Sequence, residues 1–375
     1  MSKARLSNII LVWVAFVVGT FITDSANIER ERQSTKHHQM WLLRKHTEAV
    51  ANGSLAAANA SREEQEGELA LDPDAFRRYS QCIFKNLHKK GERCRPGTLW
   101  GKVVDPLQYE FGCKEIEEMH EGNMTFAGEG AARTVYLVEY RGRDVAVKKL
   151  KGATGTYNIF KHWMETVALD TVRGHPNIVN MLGSCNTTVV TEAYPMNLEE
   201  YVSASPEALP IRTVVSISLD AARSVQALHE AVEAPIVHFD IKPSQLLMAD
   251  NGSVKLNDFN LAWIMSTGSD GSPCLFTTKP WVTEGPWRPP EFRSAQPMTE
   301  KVDIFSLGFV YFSLISGGLP FREDIVGIPD LDPTWHLGYT ELIRSMWLEP
   351  VLRPSARQVA SRLEGMLEEL PPPPP

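Results

Sequence analysis

Residues 238–247 read HFDIKPSQLL, and a second acidic motif, NDFN, follows at residues 257–260. Asp240 and Asp258 therefore belong to two separate loops, and two carboxylates there can divide two tasks. One can accept the proton of an attacking hydroxyl group, and the other can bind a Mg²⁺ ion that bridges phosphates. Because the amide oxygen of Gln245 can also bind metal, these motifs predict a phosphoryl-transfer loop or the inactive remnant of one.

A glycine-rich turn and a lysine-bearing strand precede these loops. Gly128 and Gly130 in GEGAARTVYLVEY lie between two strand-like segments, where backbone N–H groups can approach phosphate oxygens, although Arg133 stands where a third glycine is expected. Lys148 in VAVK can pair with phosphates if a carboxylate holds it, and Glu165 on the next helical segment is the candidate. Each motif alone is a weak signal, but the ordered set indicates nucleotide-dependent phosphoryl transfer.

The whole set resembles a eukaryotic protein kinase domain over residues 119–369. Further matching motifs are HPNIV (175–179), VTEAYPMNLEEY at the hinge, RPPE, DIFSLG (303–308), and Arg353, which the resemblance pairs with Glu291. The resemblance implies an α+β, bilobal protein-kinase-like fold at 119–370. A small β-rich N-lobe would occupy 119–194 and a larger helical C-lobe 197–370.

The resemblance also implies a role for each site residue. Asp240 would orient and deprotonate the acceptor hydroxyl, Lys148 would position the phosphates, and Glu165 would hold Lys148. Lys242 completes the catalytic set and favours a Ser/Thr kinase, because the tyrosine branch of the family usually has a different loop there. The expected metal ligands for Mg²⁺ or Mn²⁺ are Gln245 and Asp258, and the expected ATP-binding residues are Gly128, Glu129, Gly130, Val135, Ala146, Lys148, Thr191 (as gatekeeper), Glu192, Tyr194 and Leu247.

Besides Arg133, four positions depart from the family's pattern. Phe239 replaces the arginine that reads activation-segment phosphorylation, and Gln245 replaces the metal-binding asparagine. Asn260 replaces a glycine, and Glu284 stands where many Ser/Thr kinases have a threonine. Every charged group that the chemistry needs is nevertheless present, which favours an active enzyme. The alternative is a catalytically silent pseudokinase that serves as a scaffold.

A narrower resemblance is to secretory-pathway kinases such as protein O-mannose kinase. These proteins combine an N-terminal anchor or signal, cysteines ahead of the kinase fold, and glutamine in place of the loop asparagine. CKEIEE, LGSC and SQLL are similar to their segments, whereas RPPE and DIFSLG are closer to ordinary protein kinases. The resemblance therefore leaves open whether the acceptor hydroxyl belongs to a protein or to a glycan.

The N-terminus carries a membrane signal. Residues 9–22 contain no charge, the apolar stretch extends over 6–23, and Lys3 and Arg5 precede it. We expect residues 1–24 to be a signal anchor or a cleaved signal peptide, with a buried core helix as the third interpretation. An anchor would place the kinase domain in the endoplasmic reticulum or Golgi lumen or outside the cell, whereas a cytosol-facing receptor-like kinase is the alternative topology.

The remaining segments complete the predicted domain organisation. A polar stalk is expected at 25–75, a cysteine-containing extension at 76–118, and a polyproline tail at 371–375. In the kinase-like region, strands are expected at MTFAGEG, TVYLVEY and RDVAVKKL, and amphipathic or apolar helices dominate after residue 197.

Five glycosylation motifs and five cysteines bear on the compartment. Asn123 is the one motif expected outside a loop or turn; the others begin at Asn52, Asn59, Asn186 and Asn251. In an oxidising lumen we expect one disulfide among Cys82, Cys94 and Cys113 and a second that reaches Cys185 or Cys274. Five reduced thiols in a cytosolic protein are the alternative.

The net charge of the 375-residue chain is −8, which argues against a nucleic-acid partner. The expected partners are instead ATP, a protein or glycoprotein substrate, and a membrane contacted through residues 6–23.

Overall fold

The computed structural model describes residues 94–371, except for 96, 131–132, 152–155, 206, 232–233, 270, 272–273, 277–284, 295 and 318–335. The predicted membrane segment, the stalk, Cys82 and most of the polyproline tail lie outside the described residues. Within the described residues, no helix has both the length and the apolar composition to cross a bilayer.

The N-lobe is an antiparallel five-stranded sheet beside one long helix, and three of its strands are those that the sequence predicts. Strand β1 (Cys94–Arg95) precedes this lobe. The elements that follow it are α1 (Cys113–Glu121), β2 (Thr125–Glu129), β3 (Arg133–Tyr140), β4 (Arg143–Leu150), α2 (Thr156–Thr171), β5 (Met181–Cys185) and β6 (Thr188–Glu192). The strand order is β2-β3-β4-β6-β5. Lys148 pairs with Val135 on one side and Val189 on the other, so it lies on a central strand. A central strand holds its side chains rigidly, which suits the phosphate-binding role that the sequence predicts for Lys148.

The C-lobe is helical with short strands between the helices. Its elements are β7 (Met196–Asn197), α3 (Leu198–Ala204), α4 (Ile211–His229), β8 (Ile236–Val237), β9 (Leu246–Met248), β10 (Val254–Leu256), β11 (Trp263–Ile264), β12 (Thr267–Gly268), α5 (Pro290–Arg293), α6 (Lys301–Ile315), α7 (Leu337–Met346) and α8 (Ala356–Glu369). Helix α6 is apolar on nearly every face and buried, which is typical of a helix at the centre of a lobe. The loops that carry the site surround it.

The chain ahead of β2 lies along α2. Lys102 Nζ is 2.6 Å from Asp170 Oδ2, and the Trp163 indole donates a hydrogen bond to the Lys102 carbonyl. Tyr109 donates a hydrogen bond to the same Asp170 carboxylate. These contacts attach α2, the helix that carries Glu165, to the extension.

Two disulfides connect this extension to the kinase-like region, and they correct the predicted pairing. Cys94 bonds to Cys274, and Cys113 bonds to Cys185. The prediction of a disulfide among Cys82, Cys94 and Cys113 is wrong, because the extension crosses the fold and two of those thiols meet distant partners. The prediction that a disulfide reaches Cys185 or Cys274 is confirmed for both, and the reduced-thiol alternative is wrong for these four cysteines.

The three glycosylation motifs within the described residues all have an exposed asparagine. Asn186 and Asn251 lie in turns, as expected. Asn123 also lies in a loop, between α1 and β2, so its predicted position outside a loop is wrong: α1 ends at Glu121, and β2 begins only at Thr125. The side chains are therefore accessible to modification.

Candidate active site

A cavity of about 660 Å³ lies between the N-lobe sheet and the C-lobe loops. Its walls include all the residues predicted to bind nucleotide or metal, namely Gly128, Glu129, Gly130, Val135, Ala146, Lys148, Thr191, Glu192, Tyr194, Gln245, Leu247 and Asp258. Lys242 also lines the cavity. The volume falls in the range of small-molecule sites, so the cavity can hold a nucleotide.

Glu165 receives two cations rather than one. Its side chain is fully buried on α2, and Lys148 Nζ lies 3.8 Å from its Oε1, as the sequence predicts. Arg133 Nη2 lies closer, 2.5 Å from Oε2. Lys148 instead makes its short contact with Asn257 Oδ1, at 2.7 Å. Sequence reasoning missed both partners, although Arg133 was visible as the residue that interrupts the glycine pattern.

His162 supports Arg133 from α2. Arg133 Nη2 donates a hydrogen bond to His162 Nδ1 over 2.9 Å, and both side chains are buried. Burial, and after it the charge of Arg133, lowers the pKa of His162 to about 3. The imidazole is therefore neutral at physiological pH and accepts the guanidinium's hydrogen bond.

Asp303 on α6 fixes the start of the HFDIKPSQLL loop. Its carboxylate accepts the backbone N–H of His238 at 2.7 Å and that of Phe239 at 2.8 Å. His229 Nε2 lies 3.1 Å from the same carboxylate. Phe239 has a φ of 66°, a left-handed conformation that is costly for a bulky residue and persists only where the surroundings enforce it. The first residue of the DIFSLG motif therefore anchors this loop to α6.

Asp240 accepts hydrogen bonds from four side chains. Lys242 Nζ and Gln245 Nε2 approach its Oδ2 at 3.0 and 3.2 Å. Arg288 Nη2 and Trp287 Nε1 approach its Oδ1 at 2.9 and 3.2 Å. A carboxylate offers about four lone-pair sites, so these four donors occupy them all.

The sequence did not indicate the contribution of Arg288 and Trp287. They immediately precede the PPE motif, at 289–291, which lies far from Asp240 along the chain. Gly285 permits the arrangement, because a Cβ at that position would collide with the Trp287 ring. Glu284, which stands where many Ser/Thr kinases have a threonine, lies outside the described residues.

Gln245 lies between the carboxylates of Asp240 and Asp258. Its amide nitrogen is 3.2 Å from Asp240 Oδ2 and 3.1 Å from Asp258 Oδ2. Turning the amide end for end would direct its oxygen to the same place beside Asp258. An amide oxygen and a carboxylate are ligands that suit Mg²⁺, which takes its other ligands from phosphates and water. The residues present therefore fit this metal.

The hinge side of the cavity is closed by a polar network around Glu192. Its Oε2 accepts the Tyr194 hydroxyl at 2.7 Å and Lys255 Nζ at 3.2 Å, while the backbone N–H of Asn180 donates to it from 3.2 Å. Burial alone would raise the pKa of Glu192, but these donors outweigh it and the pKa lies below the usual value. Glu192 is therefore ionised, and it holds Tyr194 in place at the cavity wall.

The segment beyond Arg288 is anchored by a buried ion pair. Arg353 Nη1 and Nη2 lie 2.5 and 2.9 Å from the two carboxylate oxygens of Glu291. This bidentate contact is the pair that the sequence predicts. It fixes α5, and thereby the neighbouring Trp287 and Arg288, against the C-lobe.

Comparison with known proteins identifies the same part of the chain. A family model described as the protein kinase domain matches residues 123–357. The probable serine/threonine-protein kinase drkA of Dictyostelium discoideum is 29% identical over 71% of this chain and 41% of its own length. Serine/threonine-protein kinase 12 of Arabidopsis thaliana is 28% identical over 70% of this chain and 59% of its length. The dual specificity protein kinase shkA of Dictyostelium discoideum is 29% identical over 68% and 51%. The matched region thus spans less than two thirds of each relative.

Proposed function

The chain belongs to the protein kinase family, and from that premise we propose that it transfers the γ-phosphoryl group of ATP to a serine or threonine hydroxyl of a protein. The observation that carries the proposal is that Lys148 and Asp258 line one nucleotide-sized cavity, with Glu165 behind Lys148. Asp240 lies next to this cavity, because the Gln245 amide contacts both Asp240 and Asp258. A decayed kinase-like site would be expected to lack at least one of these charges.

Each residue has a chemical task in this proposal. Lys148 pairs with the phosphates, and Glu165 and Asn257 keep its ammonium group in the cavity. Asp240 orients the acceptor hydroxyl and takes its proton, while Lys242, 3.0 Å away, offers a positive charge to the phosphoryl group in transit. Mg²⁺ held by Asp258 and Gln245 would neutralise phosphate charge. The named Ser/Thr kinase relatives support the choice of acceptor.

The test is phosphoryl transfer from γ-labelled ATP by the purified full chain, with Mg²⁺ or Mn²⁺. Acceptors would be Ser/Thr-containing proteins and glycopeptides. We expect label on Ser or Thr, lost by at least about 100-fold in Asp258→Asn and retained in Asp144→Asn, an exposed aspartate on β4. Label on a sugar would replace the protein acceptor with a glycan hydroxyl. Bound ATP without any transfer would reject the proposal in favour of a scaffold.

We also propose that residues 6–23 anchor the chain in a membrane and that the kinase domain lies in the secretory-pathway lumen or outside the cell. Two disulfides and three exposed glycosylation motifs support this, as does the resemblance to secretory-pathway kinases. Expression in cells should give a gel mobility that shifts on glycosidase treatment, with a smaller shift in Asn186→Gln and Asn251→Gln. A wild-type chain that does not shift would favour the cytosolic topology.

A further inference from the structure

We propose that Arg288 is a positioning residue for Asp240, and that it couples the activation segment, which the RPPE motif at 288–291 closes, to the catalytic loop HFDIKPSQLL without a phosphate. This inference rests on the proposed function. In the family, an arginine just before the catalytic aspartate performs such coupling by reading a phosphorylated segment. Here that position is Phe239, and the guanidinium group comes from the segment itself.

The contacts of Arg288 are those of a buried structural cation. Its side chain is 2% exposed, and its Nη2 donates to Asp240 Oδ1 over 2.9 Å. Its Nη1 donates to the backbone carbonyl of Phe239. One guanidinium group therefore fixes both the carboxylate and the backbone of the residue before it. Such a planar, bidentate arrangement is one that lysine cannot reproduce.

Phe239 packs against Arg288, the residue that supplies the guanidinium group in place of an arginine at position 239. The Arg288 guanidinium lies 5.0 Å from the ring centre of Phe239 and 5.1 Å from that of Phe292. Phe239 in turn packs against Phe276, in the activation segment, with ring centres 5.6 Å apart. An arginine at 239 would bring a second cation into this apolar pocket, where burying an unpaired charge is costly. The aromatic ring therefore suits the relocated guanidinium.

Other contacts hold the segment in the same arrangement. Ahead of Arg288 within this segment, Cys94 bonds to Cys274, and β1 pairs with β12. At its end, Glu291 is held by Arg353 through the bidentate pair. Arg288 lies three residues before this second anchor, so its guanidinium is presented to Asp240 from a fixed backbone. No residue in this chain of contacts needs to carry a phosphate.

Arg288 and Trp287 should differ in effect, although both donate to Asp240 Oδ1. The Arg288 bond is the shorter and is a buried ion pair, whereas Trp287 donates over 3.2 Å and is only partly buried. We infer that the acceptor hydroxyl replaces the Trp287 indole and that Arg288 remains bound. Loss of Arg288 should then slow the chemical step more than loss of the indole N–H does.

The first test uses the full chain and measures kcat and the KM for ATP in matched variants. We expect Arg288→Met to lower kcat by at least about 100-fold with the KM for ATP within about threefold, and Arg288→Lys to fall between it and wild type. Trp287→Phe should lower kcat less than Arg288→Met does, because it removes the longer of the two hydrogen bonds to Asp240 Oδ1. Arg357→Met, which removes an exposed arginine of α8, should change nothing. Phosphatase treatment of the wild type should leave kcat unaltered.

A double-variant cycle separates positioning from general damage. If Arg288 acts through Asp240, Arg288→Met should cost little in an Asp240→Asn background, whereas multiplied losses would overturn the proposal. So would a kcat within threefold of wild type in Arg288→Met, or a large loss after phosphatase treatment.

Backbone hydrogen exchange gives a readout that needs no turnover. Residues 236–248 should exchange faster in Arg288→Lys than in wild type, at an unchanged melting temperature. Unchanged exchange would overturn the proposal even if the protein proves to be a scaffold. If the wild-type chain proves inactive and exchange is nevertheless faster in Arg288→Lys, the proposed function is rejected and the positioning role of Arg288 is retained.

Discussion

Two parts of the proposed active site follow the family's pattern to different degrees. The nucleotide side is formed around Lys148, Glu165 and Asp258, and the substrate side around Asp240 and Arg288. On the nucleotide side, Lys148, Glu165 and Asp258 lie where the motifs predict, with Arg133 and Asn257 as additional partners. On the substrate side, the arginine before Asp240 is absent and Arg288 contacts the carboxylate from another segment. Cations that meet phosphates are constrained by the geometry of the nucleotide. A cation that only joins two protein segments can come from either of them.

Replacing Lys148 is expected to separate catalysis from folding on the nucleotide side. Lys148→Met should lower kcat/KM for ATP by about 1,000-fold, because the phosphates lose their paired cation. The melting temperature should change by only a few degrees, since Glu165 keeps Arg133 at 2.5 Å. Steady-state kinetics and calorimetry measure the two effects. A collapse of the fold would show that Lys148, not Arg133, is the main partner of Glu165.

The two disulfides should have different functional consequences. Removing either one should lower the free energy of unfolding by about 2–4 kcal/mol, because each closes a long loop. Cys94→Ser with Cys274→Ser should also lower kcat, since this bond holds the activation segment. The Cys113–Cys185 bond joins only α1 and β5, so the variant with Cys113→Ser and Cys185→Ser should keep a kcat near that of wild type. Equal effects on kcat would remove the distinction between the two regions.

The neutral His162, on the nucleotide side, should lower the stability of the fold in acid. Its pKa is lowered to about 3 in the fold, whereas the unfolded side chain titrates near 6.5. Between these values the unfolded chain binds a proton that the folded chain does not, so the free energy of unfolding falls as pH falls. From pH 7 to pH 5 this residue should contribute a loss of about 2 kcal/mol.

Denaturant unfolding at the two pH values checks this prediction. The loss should be smaller by about 2 kcal/mol in His162→Gln, whose amide can still accept the hydrogen bond of Arg133. An identical loss in variant and wild type would mean that His162 is not held neutral by its surroundings.

The sequence predicts the elements and pocket residues that follow from local patterns and motif order. It does not predict contacts between residues that are distant along the chain. The strands around Lys148 and the buried helix α6 follow from local apolar patterns, and the pocket residues follow from motif order. The contact of Arg288 with Asp240 joins residues 48 positions apart, and the Cys94–Cys274 bond joins residues 180 apart. No spacing rule predicts such contacts, because they depend on the path of the whole chain.

The central claim is that the HFDIKPSQLL loop is a working phosphoryl-transfer loop. It is tested most directly by measuring ATP binding and ATP-dependent transfer together, in the wild-type chain and in Asp240→Ala. We predict that both proteins bind Mg-ATP with similar affinity and that only the wild type transfers phosphate, with at least about a 100-fold difference in rate. Equal transfer by both proteins, or binding without transfer by the wild type, would contradict the claim.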